Sequence, residues 1–178
     1  MCHLQELKKQ RTKLLKNNIR TKLVSTVVIA ILVILDQAIK LLVETYLRPI
    51  GSKMIFPGFL QLRYLQNDGA MMGMMDGRTT VMTVLAVICM IAVLFVIYSG
   101  WLTSKIDYVC VVLIAAGGFG NIIDRIARGY VVDYIEALFV DFYVFNFADC
   151  LITCAAITII IYQIYCLLND RKKEKEKK

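Results

Sequence analysis

Four acids, Asp133, Glu136, Asp141 and Asp149, fall in a stretch from Gly129 to Asp170 that holds no Lys or Arg, and Asp149 stands where a long apolar run begins. A carboxylate near lipid with no local cation has three outlets. It finds a cation elsewhere in the fold, gives up its charge, or shares a proton with a second carboxylate. Two carboxylates holding one proton are an acid and a base in one place, enough to activate water and polarise a carbonyl. Local spacing sorts the acids. Asp36 has Lys40 one helical turn on, and Asp124 has Arg128 at the same spacing besides adjacent Arg125, so both can be neutralised in place. Asp133 and Asp149 have no such partner and are the candidates for proton transfer; a nearby cation would hold both ionised. Glu136 and Asp141 are expected in a loop where water solvates them. No Ser-His or Cys-His nucleophile is available, because the single His, His3, lies in the N-terminal tail.

The elements that position these acids must lie in lipid. The chain has 178 residues, 58% of them hydrophobic, and a mean hydropathy of +0.64, more apolar surface than a domain of this length hides from water. Val81 to Leu102 and Cys150 to Leu168 carry no charge and approach the ~20 residues needed to cross a bilayer. Leu23 to Val43, with Asp36 and Lys40, and Tyr108 to Ile123, bounded by Asp107 and Asp124, complete four spans. The first has no small-residue cleavage site after it and reads as a retained helix rather than a signal peptide. The predicted fold is an all-α membrane protein, a bundle of four transmembrane helices with a small extracytoplasmic β element between helices 1 and 2. It divides into a basic N-terminal tail over 1–22, a membrane domain over 23–168 and a basic C-terminal tail over 169–178. Basic residues crowd both tails of a chain with net charge +7, which predicts cytoplasmic termini and puts 46–78 and 127–144 outside. The tails lack interleaved aromatics, so lipid headgroups rather than nucleic acid are their expected contacts.

Between helices 1 and 2, Phe56-Pro57-Gly58-Phe59 reads as a turn, Leu60, Leu62 and Tyr64 alternate with Gln61 and Arg63 as in a strand, and Asn67-Asp68-Gly69 reads as a second turn. Met71, Met72, Met74 and Met75 follow as flexible apolar contacts. Helix 3 carries Ala115-Ala116-Gly117-Gly118-Phe119-Gly120, small enough for close helix approach. Of six cysteines, Cys89, Cys110, Cys150, Cys154 and Cys166 fall in predicted helices and are expected as small core residues; without His partners they do not suggest zinc. Charge patterning alone leaves three readings open: an acid–base enzyme, a proton-coupled small membrane transporter using the same acids, or a scaffold in which the acids only hold helices together. No internal repeat supports a transporter of the inverted-repeat kind.

The order of motifs adds a resemblance. Asp36-Gln37 with Lys40, Asn67-Asp68-Gly69-Ala70, Gly120-Asn121-Ile122-Ile123-Asp124-Arg125, Gly129-Tyr130-Val131-Val132-Asp133-Tyr134 and Phe145-Asn146-Phe147-Ala148-Asp149 together resemble lipoprotein signal peptidase (signal peptidase II), over roughly residues 25 to 165. The resemblance implies an aspartyl endopeptidase of the bacterial cytoplasmic membrane, active toward the outer face. It would remove the signal peptide of a prolipoprotein before a diacylglyceryl-modified cysteine, as a monomer, with no cofactor and no metal. Motif matching places the catalytic acids at Asp133 and Asp149, and makes Asp36, Lys40, Asn67, Gly69, Asn121, Asp124, Arg125 and Asn146 substrate-binding or dyad-supporting. Met72, Tyr143 and Cys150 depart from the aromatic, Pro and Ser usual in that family, and the N-terminal extension is longer.

Overall fold

The computed structural model describes residues 19–68, 79–140 and 143–175; Gly69, the methionines from Met71 to Met75, Asp141, His3 and Cys2 lie outside them. Helix α1 (Ile19–Leu42) continues into a single π turn, Val43–Leu47. A hairpin of β1 (Ser52–Phe56) and β2 (Leu60–Asn67) follows, then α2 (Thr79–Ser99), α3 (Lys105–Arg128), β3 (Val131–Ala137) and α4 (Phe147–Lys175). All four helices are long and apolar enough to cross a membrane. Helices α3 and α4 reach beyond both ends of the apolar runs that announced them, since a polar residue at a helix end keeps its helical backbone while its side chain reaches water or a partner. Helix α2 starts two residues early and stops at Ser99, short of Leu102.

Helix α3 is the central helix, packing against α1, α2 and α4. Its N-terminus is capped by Ser104, whose Oγ accepts from the Ile106 and Asp107 backbone N–H groups. Its packing faces are small: Ala115 and Ala116 are buried, and a Cβ on Gly117 would strike the Ala148 carbonyl of α4 while one on Gly118 would strike the Met90 methyl of α2. Backbones close to this distance only where side chains are missing. Ile29, Met90, Ile97, Val112 and Ile122 fill the remaining core. The outer faces of α1, α2 and α4 expose Ile31, Ile34, Ile88, Ile91, Phe95, Ile160 and Ile161, as a lipid-facing surface does. Of the five helical cysteines only Cys110 is buried; Cys89 and Cys154 are exposed, because lipid accepts a small apolar side chain as readily as a core does.

The β element is larger than the sequence suggests. Its three antiparallel strands run in the order β1-β2-β3, and the third comes from the segment between α3 and α4. Gly129 ends α3 in the left-handed conformation (φ +83°), its N–H returning to the Arg125 carbonyl 3.2 Å away. The β-branched and aromatic residues that follow then form a strand whose first four residues are buried. Asp133 therefore sits in a strand rather than at a helix end. Glu136 is likewise in β3 rather than in a solvated loop; it accepts from Gln61 and pairs with Arg63 at 2.8 Å. The chain entering α4 is laced to the same strand, with Phe145 exchanging backbone hydrogen bonds with Ile135 at 2.7 and 2.9 Å.

Candidate active site

Spacing 121, 124, 125, 128 places four polar residues on one face of the last two turns of α3. They meet Asp36 and Lys40 from α1, also one turn apart, where Gly120 leaves room: a Cβ there would lie 2.5 Å from Asp36 Oδ2. Lys40 is fully buried, and its ammonium has three partners: Asp36 Oδ2 at 2.8 Å, Asp124 Oδ2 at 2.8 Å and Asn121 Oδ1 at 3.0 Å. An ammonium has three N–H donors, so this cation is fully committed. Asp124 Oδ1 takes Arg128 at 2.6 Å and Gln37 at 3.0 Å, while its other oxygen also accepts from the Val132 N–H at 3.3 Å. That last bond ties β3 to α3 beside Asp133.

Asn121 passes the order on. Its carbonyl oxygen faces Lys40, so its amide N–H₂ is turned toward Asp149, donating to Oδ1 at 2.8 Å. Asp149 is the third residue of α4, and Asn146 precedes the helix. The Asn146 side-chain oxygen accepts from the Asp149 N–H at 3.0 Å, and the Asn146 N–H donates to Asp149 Oδ2 at 3.2 Å. This is a reciprocal capping box made of Asn and Asp. With its oxygen so engaged, the Asn146 amide N–H₂ points the other way, to Asp133 Oδ1 at 2.6 Å and Asn121 Oδ1 at 3.2 Å. Asn67, at the end of β2, donates to Asp133 Oδ2 at 2.9 Å. The two acids singled out by sequence are thus joined through one residue, Asn146.

Asp133 is 1% exposed. Burial, with the charge of Asp149, pushes its carboxyl up to about 6 from 3.8, against the opposing pull of the Asn67 and Asn146 hydrogen bonds and of Lys40. Among the described residues neither Asp133 nor Asp149 forms an ion pair. The region is nevertheless less cation-free in space than in sequence, because α1 and α3 bring Lys40 and Arg125 to it. Lys40 is held off by Asn121. Arg125 interacts electrostatically with Asp149, Asp133 and Asp124, but its guanidinium donates to the Asn121 carbonyl of its own helix at 3.3 Å, and the partner of Asp124 is Arg128.

Of the ten residues marked from sequence, nine are described, and eight of them join this connected polar array; Arg125 borders it and Gly69 lies outside the described residues. Arg128, noted in the sequence only as a neighbour of Asp124, is a member, and three others were not marked. Gln37 donates to Asp36, Asp124 and the Gly120 carbonyl; Glu44 pairs with Arg128 at 3.2 Å; the Tyr134 hydroxyl accepts from the Phe147 N–H at 3.2 Å, satisfying the first turn of α4. A polar Gln inside the apolar run of α1 was the signal for the first. No group of His, Cys, Asp and Glu among the described residues has the spacing to hold a metal ion.

A family model described as signal peptidase (SPase) II matches residues 28–165, a span that contains this array from Asp36 to Asp149. The chain belongs to the signal peptidase II family. Lipoprotein signal peptidases of Enterococcus faecalis (35% identical, covering 84% of this chain and 90% of that one) and Caldanaerobacter subterraneus (37%, covering 78% and 94%) are among the relatives it is similar to. One from Staphylococcus aureus is 34% identical over 86% of this chain and 93% of its own. Two solved bacterial membrane enzymes share the fold, at TM-scores of 0.73 and 0.70 and identities of 32% and 33%; they cover 82% and 79% of this chain and 90% and 92% of their own. Like other signal peptidase II family members, this chain is a multi-pass membrane peptidase.

Proposed function

We propose that this peptidase is an intramembrane aspartyl endopeptidase that removes the signal peptide of prolipoproteins by cutting before the diacylglyceryl-modified cysteine, with Asp133 and Asp149 as its dyad. The observation that carries the reading is the placement of Asn146 between the two acids, with Lys40, the one fully buried cation among the described residues, spent on Asp36, Asp124 and Asn121. Asp133, buried and raised to about 6, holds the shared proton and donates it toward the scissile carbonyl oxygen. Asp149 takes a proton from water, whose oxygen attacks the carbonyl carbon. The tetrahedral intermediate collapses as the C–N bond breaks, Asp149 passing its proton to the leaving amine and Asp133 taking one back from a hydroxyl of the intermediate. Asn121, Asn146 and Asn67 hold the carboxylates in place, and Arg125 contacts peptide. A diacylglyceryl anchor fixes the depth of the scissile bond, so a dyad formed by β3 and the first turn of α4 meets it with little search.

The test is cleavage of a lipidated prolipoprotein by purified protein, followed as a gel shift. Asp133→Asn and Asp149→Asn should each lower the rate by at least about 10²-fold with insertion and melting retained. Full activity in either folded variant sinks the dyad. Membership of a peptidase family already disfavours the transporter reading, and cleavage by the wild type would exclude a scaffold.

A further inference from the structure

Lys40 alone cannot offset the two carboxylates it touches, Asp36 and Asp124, both buried to 1% exposure or less. The second positive charge comes from Arg128, whose guanidinium bonds Asp124 Oδ1 at 2.6 Å, Gln37 Oε1 at 3.0 Å and Glu44 Oε2 at 3.2 Å. Glu44 stands in the π turn that ends α1, a local widening of the helix of the kind found at functional positions, and its other oxygen accepts from the Tyr130 hydroxyl at 3.1 Å. Glu44, Arg128 and Asp124 thus form a chain leading from the partly exposed end of α1 to the fully buried centre. Through Asp124 it reaches both acids: one route runs by Lys40 and Asn121 to Asp149, the other by the Val132 N–H to the strand carrying Asp133.

We infer that Arg128 is a positioning residue for the dyad, completing the charge of the buried Lys40 cluster and thereby setting the proton affinity of the acid pair, with Glu44 as its counterweight. This inference rests on the dyad reading. Other charges also face the pair. They are Lys40 from α1 and Arg125 from α3, with Asp36 and Asp124 in the cluster behind them; Tyr134 in β3 and Cys150 on α4 are the uncharged titratable groups near Asp149, and Tyr64 and Tyr130 those near Glu44. Arg128 and Glu44 can be changed without touching the first partners of the dyad, Asn67, Asn121 and Asn146.

The sign is fixed by electrostatics. Removing a positive charge favours the protonated acid, so Arg128→Gln should move the alkaline limb of kcat/KM upward by about 0.5 pH unit or more. Arg128→Lys, keeping the charge, should return most of that shift. Glu44→Gln keeps an acceptor for Arg128 but removes a negative charge and should move the limb downward. The measurement is the pH profile of prolipoprotein cleavage by the full-length protein, with melting temperature recorded in parallel. A lowered melting temperature with an unmoved limb, or a limb that Lys does not restore, overturns the inference. If Arg128→Gln does not fold, an unmoved limb in Glu44→Gln overturns it. Activity retained in Asp133→Asn would defeat the dyad reading instead, which keeps the two failures apart.

Discussion

Asp133 owes its raised value to a balance in which burial exceeds the help of its two amide donors, and that balance makes two predictions. Asn67 donates to Asp133 Oδ2, a bond that favours the carboxylate, so Asn67→Ala should lift Asp133 above about 6 and carry the alkaline limb of activity upward with it. The check is the pH profile, and a downward shift would show that the bond favours the neutral acid. Stability follows the same proton. A carboxyl raised from 3.8 to about 6 contributes stability that is full below 3.8 and lost as pH rises through about 6, by up to about 3 kcal/mol at 1.36 kcal/mol per unit. Asp133→Asn should therefore melt with a flatter pH dependence than the wild type in detergent, the gap changing between 3.8 and about 6 and staying constant above that. The hydrogen-bond pattern also decides which way each side-chain amide faces. Lys40 can only donate, so Asn121 must present its oxygen to it and its N–H₂ to Asp149.

At the scale of elements, the first turn of α4 holds structure and chemistry together. Asn146→Ala removes a helix cap, costing about 1 kcal/mol, and the donor to Asp133; both melting temperature and cleavage should fall. Asn146→Ser restores an N-cap oxygen without an amide N–H₂. It should recover the melting temperature and leave cleavage impaired, whereas recovery of both would make the bridging role superfluous. Gly120→Ala would push a methyl against Asp36 and should lower the melting temperature through the Lys40 cluster. Sequence showed these parts unevenly. The apolar runs, the small face of α3 and the Phe56-Pro57-Gly58-Phe59 turn were legible because lipid exposure and backbone crowding dictate composition. The strand status of Asp133 was not, because a seven-residue strand beside a membrane helix is told apart from a loop only by its partner, β2, whose register is set far away in sequence. Local sequence offered Asp124 both Arg128 and adjacent Arg125, and the fold takes Arg128; the bond of Arg128 to Glu44 joins α3 to α1 and is invisible to any local window.

At the scale of the whole molecule, the basic tails lead us to place both termini in the cytoplasm and the site toward the outer face. Protease added to sealed right-side-out vesicles should leave a C-terminal tag intact and remove it once the vesicles are inverted; the opposite pattern would reverse the topology. Burial within the membrane domain could not be ranked from composition, since a residue facing lipid and one facing α3 are equally apolar. The arrival of Lys40 next to a region of sequence without cations is a property of assembled helices alone. So is the division of labour between the acids. Asp149 caps α4, while Asp133 accepts two amide donors inside a strand and caps nothing. Selection for a well-made bundle would go on protecting Asp149 in a lineage that had abandoned proteolysis, but would let Asp133 drift, since an uncharged side chain is easier to bury there. If the proposed dyad is right, Asp133 is accordingly the more telling of the two in distant relatives of uncertain activity: its loss would mark a retired enzyme, and the survival of Asp149 only an intact helix.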